Sequence, residues 1–79
     1  MKAKILTNDP SLIVMFRLGS IEGSLVTDPD EAGKVFNESI HEDKLAVLIL
    51  TKTVSSWIER DLKAHRESGS VPLTVVIDG

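Results

Sequence analysis

Leu45-Ala46-Val47-Leu48-Ile49-Leu50 is the stretch whose reading decides the fold. It carries no charge and does not alternate. A strand wet on one face alternates apolar and polar side chains, whereas a strand covered on both faces need not. The run is short, rich in branched residues and followed by Thr51-Lys52-Thr53. This predicts the central strand of a small parallel sheet with helices on both sides; a buried helix segment is the competing reading, because a short apolar run has no period to separate the two.

Working outward, Ala3 to Thr7 reads as a first strand. Asp9 is placed to cap a helix whose first residue is Pro10, where a missing N–H costs nothing. That helix runs from Ser11 to Leu18 and stops at Gly19-Ser20. Ser24 to Thr27 reads as a short second strand, suited to a sheet edge. Asp28-Pro29-Asp30-Glu31 is the clearest helix start in the chain: Asp28 can accept the Glu31 N–H, and Glu31 can reach back as in a capping box. Ala32, Val35, Phe36 and Ile40 then recur at helical spacing up to about His41. After the central strand, Thr53 is placed to cap a third helix with Val54, Trp57, Ile58, Asp61 or Leu62, and His65 marking its face, ended by Ser68-Gly69-Ser70. Pro72 precedes a last strand, Leu73 to Ile77.

The order β-α-β-α-β-α-β, with right-handed crossovers, predicts a three-layer α/β/α domain. With the most apolar strands in the middle, the four-stranded parallel sheet has order 2-1-3-4, with helices two and three on opposite sides. The 79 residues make one domain, 1–79. A chain this short buries only about 60–65% of its unfolded surface and is marginal without a partner. It contains no cysteine, which removes disulfides and thiol chemistry. Its net charge of −3 is spread without a basic stripe, which argues against nucleic-acid binding. No apolar run approaches the roughly 20 residues of a membrane span, and no signal-peptide core follows Met1. The expectation is a cytoplasmic protein with no direct membrane insertion.

Candidate chemistry is sparse. Ligands of such sheets sit at the carboxyl ends of the strands, where strand order reverses. That rim carries Asn8, Asp9, Thr51 and Lys52, which reads either as a phosphate-receiving or magnesium site or as a helix cap beside a solvated lysine. The turn after strand one, Thr7-Asn8-Asp9-Pro10-Ser11, has no glycine to cradle a phosphate. His41 and His65 lie on different helices without the three or four convergent ligands a metal needs; they read as a helix-end residue and an amphipathic edge residue. Ser55-Ser56 lacks a nucleophile elbow. Trp57 reads as core packing or as an interface anchor. No catalytic residue, cofactor site or metal site is expected.

Met15-Phe16-Arg17-Leu18-Gly19-Ser20-Ile21 resembles the signature segment of the F subunit of V-type and archaeal-type ATPases. There a strand of the "KIAVIGD" kind leads to "GFRLAGI", an acidic or proline-led helix and a strand of the "VGIILIT" kind. Lys4-Ile5-Leu6-Thr7-Asn8-Asp9, then Phe16-Arg17-Leu18 with Ile21, then Asp28-Pro29-Asp30-Glu31-Ala32, then Leu45 to Thr51 follow in that order. Val71-Pro72-Leu73-Thr74-Val75-Val76-Ile77 is similar to the family's last strand. The likeness spans essentially the whole chain. It departs at Met15, where the family has glycine, at Gly19-Ser20 in place of Ala-Gly, and after strand four, where the family's mobile C-terminal helix has no counterpart.

The resemblance implies a non-catalytic central-stalk rotor subunit, pairing with the coiled-coil D subunit inside the ring of ATP-hydrolysing subunits, in the soluble sector peripheral to the membrane. The alternatives are a receiver-like phosphoacceptor domain, against which stands Thr51 where an aspartate is needed, and a generic peptide-binding α/β module. Under the rotor reading, the candidate contact residues are Arg17, Leu18, Gly19, Ser20 and Ile21, and on helix three Trp57, Arg60 and Lys63.

Overall fold

A computed structural model describes residues 2–78. The elements run β1 (Lys2–Thr7), α1 (Pro10–Leu18), β2 (Glu22–Leu25), α2 (Pro29–Ile40), β3 (Leu45–Thr51), α3 (Lys52–Trp57), α4 (Glu59–Ser68) and β4 (Leu73–Ile77). The four strands form one sheet in the order β2-β1-β3-β4, and every pairing is parallel. The 45–50 run is indeed a central strand, paired with β1 through Ile5↔Ile49 and with β4 through Ile49↔Val75.

Successive side chains of a strand point to opposite faces, so the register sorts the core. Leu6, Leu48 and Leu50 point to one face, where they join Val26, Ala32, Phe36, Val54, Ile58 and Leu62 in a single buried cluster. Each fully buried Leu, Ile or Phe contributes about 1.5–3 kcal/mol, and this face holds most of them. Ile5 points the other way. It is fully buried too, beneath α1: a Cβ built on Gly23 of β2 would lie 2.7 Å from Ile13 Cδ1 and 3.1 Å from Ile5 Cγ2.

The helices are not distributed as the sequence reading expects. The sequence reading puts helices two and three on opposite sides, yet α2, α3 and α4 share one face and α1 alone lies on the other. Phe36 of α2 meets His65 of α4 edge to face, with ring centroids 6.1 Å apart. The cause is the direction of each crossover. The steps from β2 to β3 and from β3 to β4 both advance the same way across the sheet, so right-handed connections put their helices on the same side. The step from β1 to β2 runs backwards and puts α1 on the other side. The three layers stand, with unequal outer layers.

Three local expectations also shift. The second strand lies earlier, at Glu22–Leu25 rather than 24–27, because the chain leaves α1 through a tight turn in which the Gly19 N–H and the Ile21 N–H both donate to Phe16 O. The third helix starts at Lys52 with Thr51 at its N-cap position, not at Thr53. It then breaks at Ile58 (φ −125°, ψ 29°), making α3 and α4 two helices. Val54, Ile58 and Leu62, spaced four apart on the two helices and at the break between them, all lie in the core.

The helix starts are as the residues dictate. Asp9 accepts from the Ser11 N–H at 2.9 Å, and Asp28 accepts from the Glu31 N–H at 2.8 Å. Glu31 reaches back one residue beyond the usual box, accepting from the Thr27 N–H at 2.8 Å. α4 ends at Gly69 with φ +70°, the left-handed conformation that glycine adopts without penalty.

Candidate partner-docking surface

Each group at the carboxyl rim of the sheet is already engaged. The Asp9 carboxylate holds the start of α1 through both the N–H and the hydroxyl of Ser11. Thr51, fully buried, donates from Oγ1 to Asn8 Oδ1 at 3.3 Å. Lys52 is paired with Asp78 at 3.0 Å, both highly exposed. Among the described residues no group of three His, Cys, Asp or Glu side chains is placed to hold a metal ion.

The two histidines differ. His41 caps the end of α2, its Nδ1 lying 2.7 Å from Asn37 O, in keeping with a helix-end residue. His65 is not an edge residue: it is 8% exposed, and its Nε2 lies 2.8 Å from Pro72 O. A carbonyl oxygen can only accept, so Nε2 of His65 is the donor. No sequence signal marks this, because Pro72 approaches only once β4 has returned to the sheet. Other buried polar groups are likewise satisfied. Ser39 donates from Oγ to Val35 O at 2.8 Å, and Thr74 accepts from Arg66 Nε at 2.8 Å. No buried side-chain nitrogen or oxygen among the described residues lacks a partner.

One charge cluster escapes the sequence reading. At the opposite end of the sheet, Lys2 and Lys4 of β1 both reach Glu42, in the turn after α2, and Lys2 also pairs with Glu22 at 3.6 Å. The hydrogen bond from Lys2 holds the Glu42 carboxyl below the usual glutamate value, aided by the two lysine charges. The same bond raises the Lys2 ammonium. The cluster joins residues forty apart in sequence and ties β1 to the entry of β3.

The eight candidate contact residues fall into two groups on opposite faces of the sheet. Arg17, Leu18, Gly19 and Ser20 are exposed at the end of α1, with Ile21 half-buried beside them. Leu18 is 85% exposed, and Ser20 sits at φ +65° in the turn. Trp57 is half-buried and packs on the main core at the end of α3; Arg60 and Lys63 are exposed on α4. No flat surface joins the two groups.

A model of the ATP synthase (F/14-kDa) subunit family matches residues 5–79 of this chain. The match takes in all four strands except the first residues of β1. The chain belongs to the ATP synthase F/14-kDa subunit family. No match is found among curated individual proteins. For a member of this family, a subunit of the V/A-type ATP synthase, the outward apolar side chains gain a context, because assembly subunits bury surface that an isolated domain leaves wet. Val14, Met15 and Leu18 on α1, with Leu73 and Val75 on β4, are all exposed. No helix among the described residues is long and apolar enough to cross a membrane.

Proposed function

We propose that this F subunit is a non-catalytic part of the central stalk of a V/A-type ATPase, docked on the coiled-coil D subunit and turning with it inside the ring of ATP-hydrolysing subunits. Family membership over residues 5–79 is the observation that carries this reading. Two physical features support it. The domain is small and leaves large aliphatic side chains of α1 and β4 in water, as does a subunit completed by its partner. The polar groups of the carboxyl rim are engaged in holding helix starts and neighbouring side chains. In this role the subunit resides in the cytoplasm, in the peripheral soluble sector, and transmits torque through surface contact.

Co-expression with the coiled-coil subunit tests the proposal. A stoichiometric complex that survives gel filtration at micromolar concentration is expected. The chain alone should hydrolyse no ATP and should take no label at Asp9 from a magnesium-dependent phosphodonor. Absence of a complex with a folded domain, or stable aspartyl phosphate, refutes it.

A further inference from the structure

Helices α2 and α4 lie side by side on the main core face and leave a groove of about 540 Å³ between them, a size usual for a small-ligand site. Phe36 and Ile40 of α2 and the buried His65 of α4 form its floor. The contacts show that the two helices run the same way. Gly33 faces Asp61, since a Cβ on Gly33 would lie 3.9 Å from Asp61 Oδ2, and one turn on Phe36 faces His65. Asp61 and His41 both line the groove. They stand toward opposite ends of it, separated by about 12 Å, the helical rise from Gly33 to His41.

Three groups along this groove are acceptors without a donor. The Asp61 carboxylate takes part in no ion pair among the described residues. His65 donates from Nε2 to Pro72 O, so in the neutral ring Nδ1 carries the lone pair. Nothing described donates to that nitrogen. No buried side-chain nitrogen among the described residues lacks a partner, so Nδ1 is open to the groove that His65 lines. His41 donates from Nδ1 to Asn37 O, which leaves its Nε2 as an acceptor too. No lysine or arginine lines the groove.

We infer that this groove receives one arginine side chain of a partner protein, with the guanidinium held between Asp61 and His65. These two residues stand at i and i+4 on α4, with Cβ atoms about 5–6 Å apart. A guanidinium carries five donors in a planar fork and can serve both acceptors at once, whereas an ammonium is a compact point charge. The methylene stem then lies on Phe36 and Ile40 and leads toward the His41 end. One carboxylate meets one cation, and no like charge lines the walls. A metal ion needs three or four convergent ligands, and no three His, Cys, Asp or Glu side chains among the described residues are so placed. An anion would face Asp61 with no cation to offset it. The inference is independent of the rotor reading, since it rests on the acceptors alone.

The test is a titration of the full chain with a blocked Ala-Arg-Ala tripeptide, followed by NMR at the imidazole nitrogens and the backbone amides. The lysine and citrulline counterparts are titrated alongside. The expected result is a shift of His65 Nδ1 and of α2 and α4 amides, with half-saturation at about 1–10 mM, as suits so small a ligand. Citrulline, which keeps the shape and loses the charge, should bind at least fivefold more weakly, and lysine at least twofold. Asp61→Asn should weaken arginine binding at least fivefold, and Glu67→Gln should stay within twofold of the parent chain. Asp61 is exposed, so its amide variant keeps the fold, and the citrulline arm needs no variant. Citrulline or lysine binding as tightly as arginine overturns the inference. So do an Asp61→Asn chain that binds as the parent does, shifts that map away from α2 and α4, and no shift at ten times the expected concentration. No stalk subunit enters the titration, so its failure and the failure of the rotor reading are read separately.

Discussion

His65 of α4 donates from Nε2 to the carbonyl oxygen of Pro72 at 2.8 Å, inside the domain, and its ring and that of Phe36 on α2 meet edge to face. One side chain thus joins three segments: α2, α4 and the entry to β4. His65→Leu keeps the volume roughly constant but leaves the Pro72 carbonyl without its donor. An unsatisfied buried carbonyl costs about 1–3 kcal/mol. Urea unfolding should show a loss in that range with an unchanged slope. A loss below 0.5 kcal/mol, roughly the size of an ordinary surface effect, would show that water replaces the imidazole.

Glu42 provides a pH signature. Its carboxyl is held below the ordinary value by the hydrogen bond from Lys2, with the charges of Lys4 and Lys2 adding to it. A lowered carboxylate pKa means that the native state favours the ionised form. The stability it contributes is therefore present above the unfolded value of about 4.5 and is lost as pH falls through the lower folded value. For Lys2, whose pKa is raised above 10.5, the contribution is present below that value and is lost in strong alkali. Glu42→Gln should be less stable than the parent at pH 7, and the two should converge in melting temperature as pH drops below about 4.5. The gap should also narrow in salt, because the groups are partly exposed. A gap constant from pH 7 to pH 3 would mean that the glutamate acts through packing, not charge.

Local chemistry makes some elements legible: the 45–50 run, Asp9 before Pro10, and Asp28 with Glu31 each name their element without help from the rest of the chain, whereas the second strand and the N-cap of the third helix fall two residues earlier than the residues suggest. The sheet order followed from which strands were most apolar. The sidedness of the helices was equally available, but only by tracking the direction of every crossover. The break at Ile58 has no glycine or proline to announce it. Val54, Ile58 and Leu62 stand at i, i+4 and i+8 and would share one face of an unbroken helix, so their burial together does not reveal the break. His65 and the Lys2–Lys4–Glu42 cluster were hidden because their partners come near only after the sheet closes. The candidate contact residues stand at two separate places along the chain. The fold divides them between two faces, and the groove between α2 and α4 exists only once both helices pack on the sheet.

Asp28 and Glu31 hold the start of α2 from both sides, each accepting one backbone N–H. Removing an N-cap acceptor costs about 1 kcal/mol. Asp28→Ala should lower stability by that amount, and Asp28→Ser should recover most of it. Glu31→Ala should cost less, because the Thr27 N–H it serves is exposed to water. An Asp28→Ala variant as stable as the parent in thermal unfolding would show that Asp30 or solvent takes over the cap.

Gly23 and Ile13 mark where α1 touches the sheet. A Cβ at position 23 would stand 2.7 Å from Ile13 Cδ1 and 3.1 Å from Ile5 Cγ2. The first contact is with the tip of a side chain, which can rotate away; the second is with a branched residue fixed in the neighbouring strand. Gly23→Ala gains about 0.4–1 kcal/mol from a stiffer unfolded chain, set against the cost of crowding. It should come out near neutral or mildly destabilising. Gly23→Val should lose about 1–3 kcal/mol, because both contacts worsen at once. Ile13→Val removes the very atom that clashes. Alone it should cost up to about 1 kcal/mol, at the low end for a half-buried site. Combined with Gly23→Ala it should cost less than alone, and a double-mutant cycle should give a favourable coupling of about 0.5 kcal/mol or more. Additive losses would mean that α1 lifts from β2 as a unit when crowded, so that its seat over Ile5 is softer than the packing implies.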